Sequence, residues 1–143
     1  MSALHYRYHV PGDDFTRAGE ASGSVKGILK RLGISPEAIR KISIAMYEGE
    51  INMVIHGGGG DIDVDIGTDQ VVAVLTDHGP GIPDVGKAME EGWSTAPDSV
   101  RNLGFGAGMG LPNMKKYSDE LIVDSKVGEG TTVTILVNLA DPQ

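Results

Sequence analysis

The chain has 143 residues, 40% of them hydrophobic, which suffices for one domain with a sizeable core and is too short to expect two. Twelve Lys and Arg against 20 Asp and Glu give a net charge of −8 with His neutral, which argues against a broad DNA or RNA footprint but leaves room for one small anionic ligand held by local amides and a cation. With no cysteine, no signal-peptide apolar region and no apolar run near the roughly 20 residues that span a bilayer, the expectation is a cytoplasmic protein of one domain, residues 1–143.

Leu4, Tyr6, Tyr8 and Val10 alternate with His5, Arg7 and His9, the period of a half-buried strand, and Pro11 and Gly12 end it. His5 and His9 share one face of that strand and are read as ordinary surface residues. From about Phe15 to Leu32, Ala18, Ala21, Val25, Ile28, Leu29 and Leu32 recur at threes and fours ahead of Gly33, which predicts a first helix weakened by Gly19, Gly23 and Gly27. Ser35 caps a second helix that starts at Pro36, is carried by Ile39, Ile42, Ala45, Met46, Ile51 and Ile55, and is stopped by the run Gly57 to Gly60.

Two strand patterns, "DIDVDIG" and "VVAVLTD", flank "TDQ" as a hairpin. Val85 to Glu91 reads as a short helix. The stretch "GWSTAPDSVRNLGFGAGMG" holds too much Gly, Pro and Ser for regular structure, and loops longer than about 12 to 15 residues are usually functional or disordered. Leu111 to Tyr117 is a helix, followed by the strands "ELIVDSKV" and "TTVTILVNL" around "GEG". The expected fold class is α/β (α+β), a two-layer sandwich of a mixed β-sheet covered by helices.

Several motifs fail on their chemistry. "GIPDVGKA" has phosphate-loop spacing through Lys87, yet Ala88 stands where a hydroxyl must meet magnesium, Pro83 removes an amide and Asp84 repels phosphate. "DIDVDI" has calcium-loop spacing, but Ile66 replaces the glycine and Val72 the bidentate Glu, so a strand with its Asp side chains in water is the better reading. "GFGAGMG" carries Met109 where a dinucleotide fingerprint needs its third glycine. No strand leads into "GWSTA" to make a nucleophile elbow.

What remains is a constellation. Glu48 and Asn52 are four apart and project from one face of the second helix, with Glu50 expected to face elsewhere, into solvent. Asp77 ends a buried strand and opens "DHGPG", and "GFGAGMG" follows. In this order, and with the final "GEGTTVTI", the set resembles the GHKL (Bergerat-fold) ATP-binding superfamily shared by gyrase, histidine kinases, a class of chaperones and mismatch-repair proteins. The resemblance covers nearly the whole chain.

ATP and Mg2+ are the cofactors that the resemblance implies. On the family's pattern Asn52 supplies the direct metal ligand, and Glu48 is the general base toward a Ser hydroxyl or water. Asp77 accepts from the adenine amine, Gly79 and Gly81 let the backbone pass under the base, and Thr131 lies near the adenine. Amides of Gly104, Gly106, Gly108 and Gly110 cradle phosphate where Met109 and Leu111 enter the following helix. His56 is either a phosphate contact or a helix-end histidine. Trp93 reads as structural or lid-packing, and Lys115 and Lys116 as solvated.

Among branches, the chain looks most like the small bacterial serine kinases of partner-switching pathways. "EGWSTA" and "GMGLPNMKKYSDEL" resemble the switch type, which phosphorylates a STAS-domain anti-anti-sigma or stressosome-type protein, and the lid carries extra residues, "PDSVRN". The alternatives are an anti-sigma factor that sequesters a sigma factor under nucleotide control, typically as a homodimer, and a detached histidine-kinase-like ATPase domain. Neither a nucleic acid nor a membrane is an implied partner.

Overall fold

The structure, a computed structural model, describes residues 4–12, 17–55, 58–82 and 110–139. Their order is β1 (Leu4–Pro11), α1 (Glu20–Arg31), α2 (Pro36–Ile55), β2 (Gly59–Ile66), β3 (Gln70–Asp77), α3 (Gly110–Lys116), β4 (Glu120–Lys126) and β5 (Gly130–Asn138). Phe15, the short helix expected over Val85 to Glu91 and the loop through Met109 lie outside the described residues.

Local chemistry sets the helix ends. Gly33 takes φ +75°, and the amides of Gly33 and Ile34 bond the carbonyls of Lys30 and Leu29 at 3.1 Å each, which closes α1 with both bonds of a Schellman motif. Two residues on, the Ser35 hydroxyl accepts the Ala38 amide at 3.2 Å, so α2 starts with a capped first turn and Pro36 at its first position.

The five strands form one sheet in the order β1-β2-β3-β5-β4. Every neighbouring pair is antiparallel, which corrects the mixed sheet expected from the sequence. The reason is that β4 does run parallel to β3, but β5 folds back between them and separates the two. The two-layer α+β architecture stands.

Period-2 alternation then sorts the faces. In register across the sheet, one inward row is Tyr8, Ile62, Leu75, Val133 and Val123, and the next is Tyr6, Val64, Ala73, Ile135 and Leu121. Their central members are buried and join the core formed with Val25 and Leu29 of α1, Ile42 and Met46 of α2, and Met114 of α3. The outward row of β1 pairs with the Asp residues of β2: His5 Nδ1 meets Asp65 at 2.7 Å, Arg7 meets Asp61 at 3.4 Å, and His9 meets Asp61 at 3.3 Å. These are exposed cross-strand pairs, as read for His5, His9 and "DIDVDI". No helix of the described residues is long and apolar enough to cross a membrane.

Candidate nucleotide site

The inward face of the sheet turns polar at one end. One step beyond Leu75, Val133 and Val123, the register places Asp77, Thr131 and Ser125 side by side. Thr131 is 8% exposed, so its hydroxyl needs a partner, and Ser125 Oγ supplies one at 2.8 Å. Ser125 also accepts the Ile82 amide at 2.7 Å, which ties the segment after β3 to β4.

Asp77 is held by one oxygen. Its Oδ1 accepts the Gly79 amide at 3.0 Å and the Thr131 amide at 3.2 Å, while Oδ2 makes no hydrogen bond among the described residues. A carboxylate fixed in this way offers its second oxygen to a ligand donor without having to order itself first.

Gly81 also has a neighbour within the fold. It sits at φ +79°, and a Cβ there would run into the Lys126 carbonyl, so the missing side chain admits the β4–β5 turn. The Gly128 amide bonds the Pro80 carbonyl at 2.8 Å from the same turn. The floor that begins at Asp77 is therefore braced from beneath by a hairpin.

The second wall is built by α2 and α3. Gly49 lets the helices and sheet close up, since a Cβ at 49 would lie 2.5 Å from Leu75 Cδ2 and 3.2 Å from Met114 Sδ. Glu48, beside it, is half-buried, with the Asn113 side chain as a polar neighbour. Burial pushes its carboxyl above the ordinary Glu range, and the Asn113 side chain opposes that push without cancelling it. One turn further along, the Asn52 amide packs on Gly110, where a Cβ would stand 2.6 Å from Nδ2 and 2.9 Å from Oδ1.

Met53 brings the two walls to the same end of the molecule. Its ε-methyl lies over Gly60, which pairs across the ladder with Asp77. The structure thus brings together Glu48, Asn52 and Gly110 on one wall, with Asp77, Thr131, Gly79 and Gly81 on the sheet end. Leu111 is buried in the core cluster beneath α3, and Lys115 and Lys116 are exposed. His56, Gly104, Gly106, Gly108 and Met109 lie outside the described residues, as does Trp93.

Residues 13–137 match the sequence profile of the histidine kinase-like ATPase domain. The chain belongs to this family. It is similar to the serine/threonine-protein kinase RsbT of Bacillus subtilis, 34% identical over 112 residues that cover 76% of this chain and 78% of that protein. The anti-sigma F factor of Clostridium beijerinckii is 33% identical over 118 residues, covering 78% and 79% of the two chains. The fold is shared with about a third of the chain that carries the RsbU and RsbW domains of Rv1364c from Mycobacterium tuberculosis, at TM-score 0.63 and 19% identity over 99% of this chain and 34% of that one. It is also shared with a chain of the SiaB–SiaC complex from Pseudomonas aeruginosa, at TM-score 0.62 and 11% identity over 95% and 90%.

Three residues of this ATPase domain escaped the sequence reading. Ser125 and Asn113 are partners of site residues; Ser125 was visible only as a hydroxyl at an inward position of an alternating strand. Glu50 is the correction: it is 2% exposed, not solvated. Its carboxylate accepts the Ala21 amide at 3.1 Å and the Ser22 amide at 3.0 Å, at the start of α1. Gly19 precedes that helix at φ 101° and has no side chain to cap it, so α2 provides the cap.

Proposed function

We propose that this ATPase domain is a serine/threonine protein kinase that transfers the γ-phosphate of Mg2+-ATP to a STAS-domain antagonist protein in a sigma-factor partner-switching pathway. The observation that carries the reading is the α2 wall: a half-buried Glu48 with a raised pKa stands one helical turn from Asn52, at the same end of the molecule as the fixed Asp77 carboxylate. Family membership and the similarity to a serine/threonine-protein kinase support it.

In this reading Asp77 Oδ2 accepts from the adenine amine while Oδ1 stays on the Gly79 and Thr131 amides, and Thr131 closes the base edge. Asn52 is a neutral oxygen ligand, which suits Mg2+ and leaves the cation's charge for the phosphates. Phosphoryl transfer asks a protein mostly to align and neutralise, so the remaining task is to take a proton from the incoming hydroxyl. A carboxylate whose pKa is shifted toward neutrality does that better than an ordinary Glu.

Transfer of label from γ-labelled ATP to STAS-domain proteins of the same source, with native chain and with Glu48→Ala, tests the proposal. Acid-stable label that depends on Glu48 is the expected outcome. ATP binding without any labelled partner overturns the kinase reading and favours the second one, an anti-sigma factor under nucleotide control. That alternative is supported by the 33% identity to an anti-sigma F factor, and a sigma-factor pull-down tests it.

A further inference from the structure

Between them, α1 and the first half of α2 enclose an open groove of about 570 Å³. Its floor is aliphatic, from Ile34, Ile39 and Ile44, and its rim carries Lys26, Lys30 and Arg40. The three cations are exposed. Neither lysine has an ion pair among the described residues, where the acids that are paired belong to His5, Arg7, His9, Arg17 and Lys41.

The charge is segregated. Between residues 26 and 41 five basic side chains accompany one acid, Glu37, a net of +4 within a chain of −8. On α1, Gly23 precedes Lys26 and Lys30 at helical spacing on the same flank, and among the described residues nothing lies within 4 Å of the position its Cβ would take. Glycine weakens a helix interior, and no contact within the described residues requires it at this position.

We propose that this groove is a docking site for an acidic segment of a partner protein, one that seats an aliphatic side chain on Ile34, Ile39 and Ile44 and aligns its carboxylates with Lys26, Lys30 and Arg40. Charge complementarity selects the occupant. An extended polyanion such as a nucleic acid meets only this short basic stretch and then a field of opposite sign. A bilayer meets a concave floor that cannot be inserted into it. An acidic segment with one or two aliphatic residues satisfies both the floor and the rim. The lining ends at Ile44, one helical turn before Glu48, and includes none of Glu48, Asn52 and Asp77, so the docking does not rest on the kinase reading.

The test is an NMR titration of the full chain, isotopically labelled, with a capped synthetic peptide of sequence Asp-Glu-Leu-Leu-Asp-Glu. Controls are the peptide with Lys for its acids, the peptide with Ser for its leucines, a single-stranded oligonucleotide and phosphatidylglycerol vesicles. The expected result is a saturable set of amide shifts confined to the α1 and α2 residues that line the groove. Both altered peptides should bind at least roughly tenfold more weakly, and so should the acidic peptide to the double variant Lys26→Glu with Lys30→Glu. Because both lysines are exposed, that variant is expected to fold, and unchanged Mg2+-ATP binding checks it. The proposal is overturned by silence at millimolar peptide, by shifts that survive the charge reversal, or by a preference for the oligonucleotide or the vesicles. Those outcomes leave the nucleotide site untouched, just as loss of ATP binding leaves the groove untouched.

Discussion

On the kinase reading, Glu48 carries opposing demands from folding and from chemistry. Its carboxyl is raised by burial, so the ionised form works against the folded state: the group's contribution is fully present at low pH and is lost as pH rises through the raised value. Glu48→Gln keeps the shape and a partner for Asn113 but does not ionise. Its melting temperature relative to the native chain should therefore be higher at pH 8 than at pH 4, by a small margin because the group is only half-buried, while phosphate transfer is lost. A variant that loses ground at pH 8 would contradict the assignment of a strained carboxylate. For the native chain, the acid limb of transfer should fall above the ordinary Glu range. Gly110 offers a complementary test, because Ala there improves helix propensity by up to about 1 kcal/mol yet drives into the Asn52 amide. Gly110→Ala should fold as well as the native chain and bind Mg2+-ATP at least roughly tenfold more weakly in calorimetry, the loss expected from a displaced ligand. Native-like affinity would remove Asn52 from the metal's coordination.

At the scale of elements, α1 depends on α2 for its first turn. Deleting the Glu50 side chain leaves the Ala21 and Ser22 amides buried without an acceptor, at about 1 to 3 kcal/mol for each unsatisfied group, so Glu50→Ala should lose on the order of 3 kcal/mol in urea unfolding. Glu50→Gln keeps an acceptor oxygen and should lose about 1 kcal/mol, the charge-assisted part. Equal losses in the two variants would mean that packing, not capping, fixes residue 50. The same residue shows what a sequence does and does not disclose. The stops at Gly33, the cap at Ser35 and both hairpins were legible because each is decided within a few residues. Glu50 is legible in principle, since it lies four after Met46 and three before Met53 on the buried stripe, but a charged side chain beside the Glu48 and Asn52 face reads as solvated until its amide partners on α1 are known. The insertion of β5 between β3 and β4 was not legible, because strand order depends on pairings far apart in the chain. The Asp77, Thr131 and Ser125 row is a consequence of that order, so only Asp77 and Thr131 could be reached, through a family motif and not through geometry.

Over the whole molecule, α2 is both spine and site wall. Ile42 and Met46 are in the core, Gly49 is wedged against Leu75 and Met114, and the candidate residues Glu48 and Asn52 lie on the same helix. A ligand held by its last turns therefore resists the unfolding of the sheet and of α1 and α3, not of a loop alone. Mass action sets the size of the effect: at a hundred times the dissociation constant, a ligand that binds only the folded chain adds about 2.7 kcal/mol. For a chain of this length that corresponds to a rise on the order of 10 °C in Tm. Mg2+-ATP should produce this rise in the native chain as one cooperative transition. Asp77→Asn should abolish most of it, since an amide keeps an oxygen for the Gly79 and Thr131 amides but presents a donor to the base. In Asn52→Ala the rise should shrink and lose its dependence on magnesium, whereas a magnesium-dependent rise that persists there would place the cation on other residues. A split melting curve, with only one phase responding to nucleotide, would refute the coupling of site to core through α2.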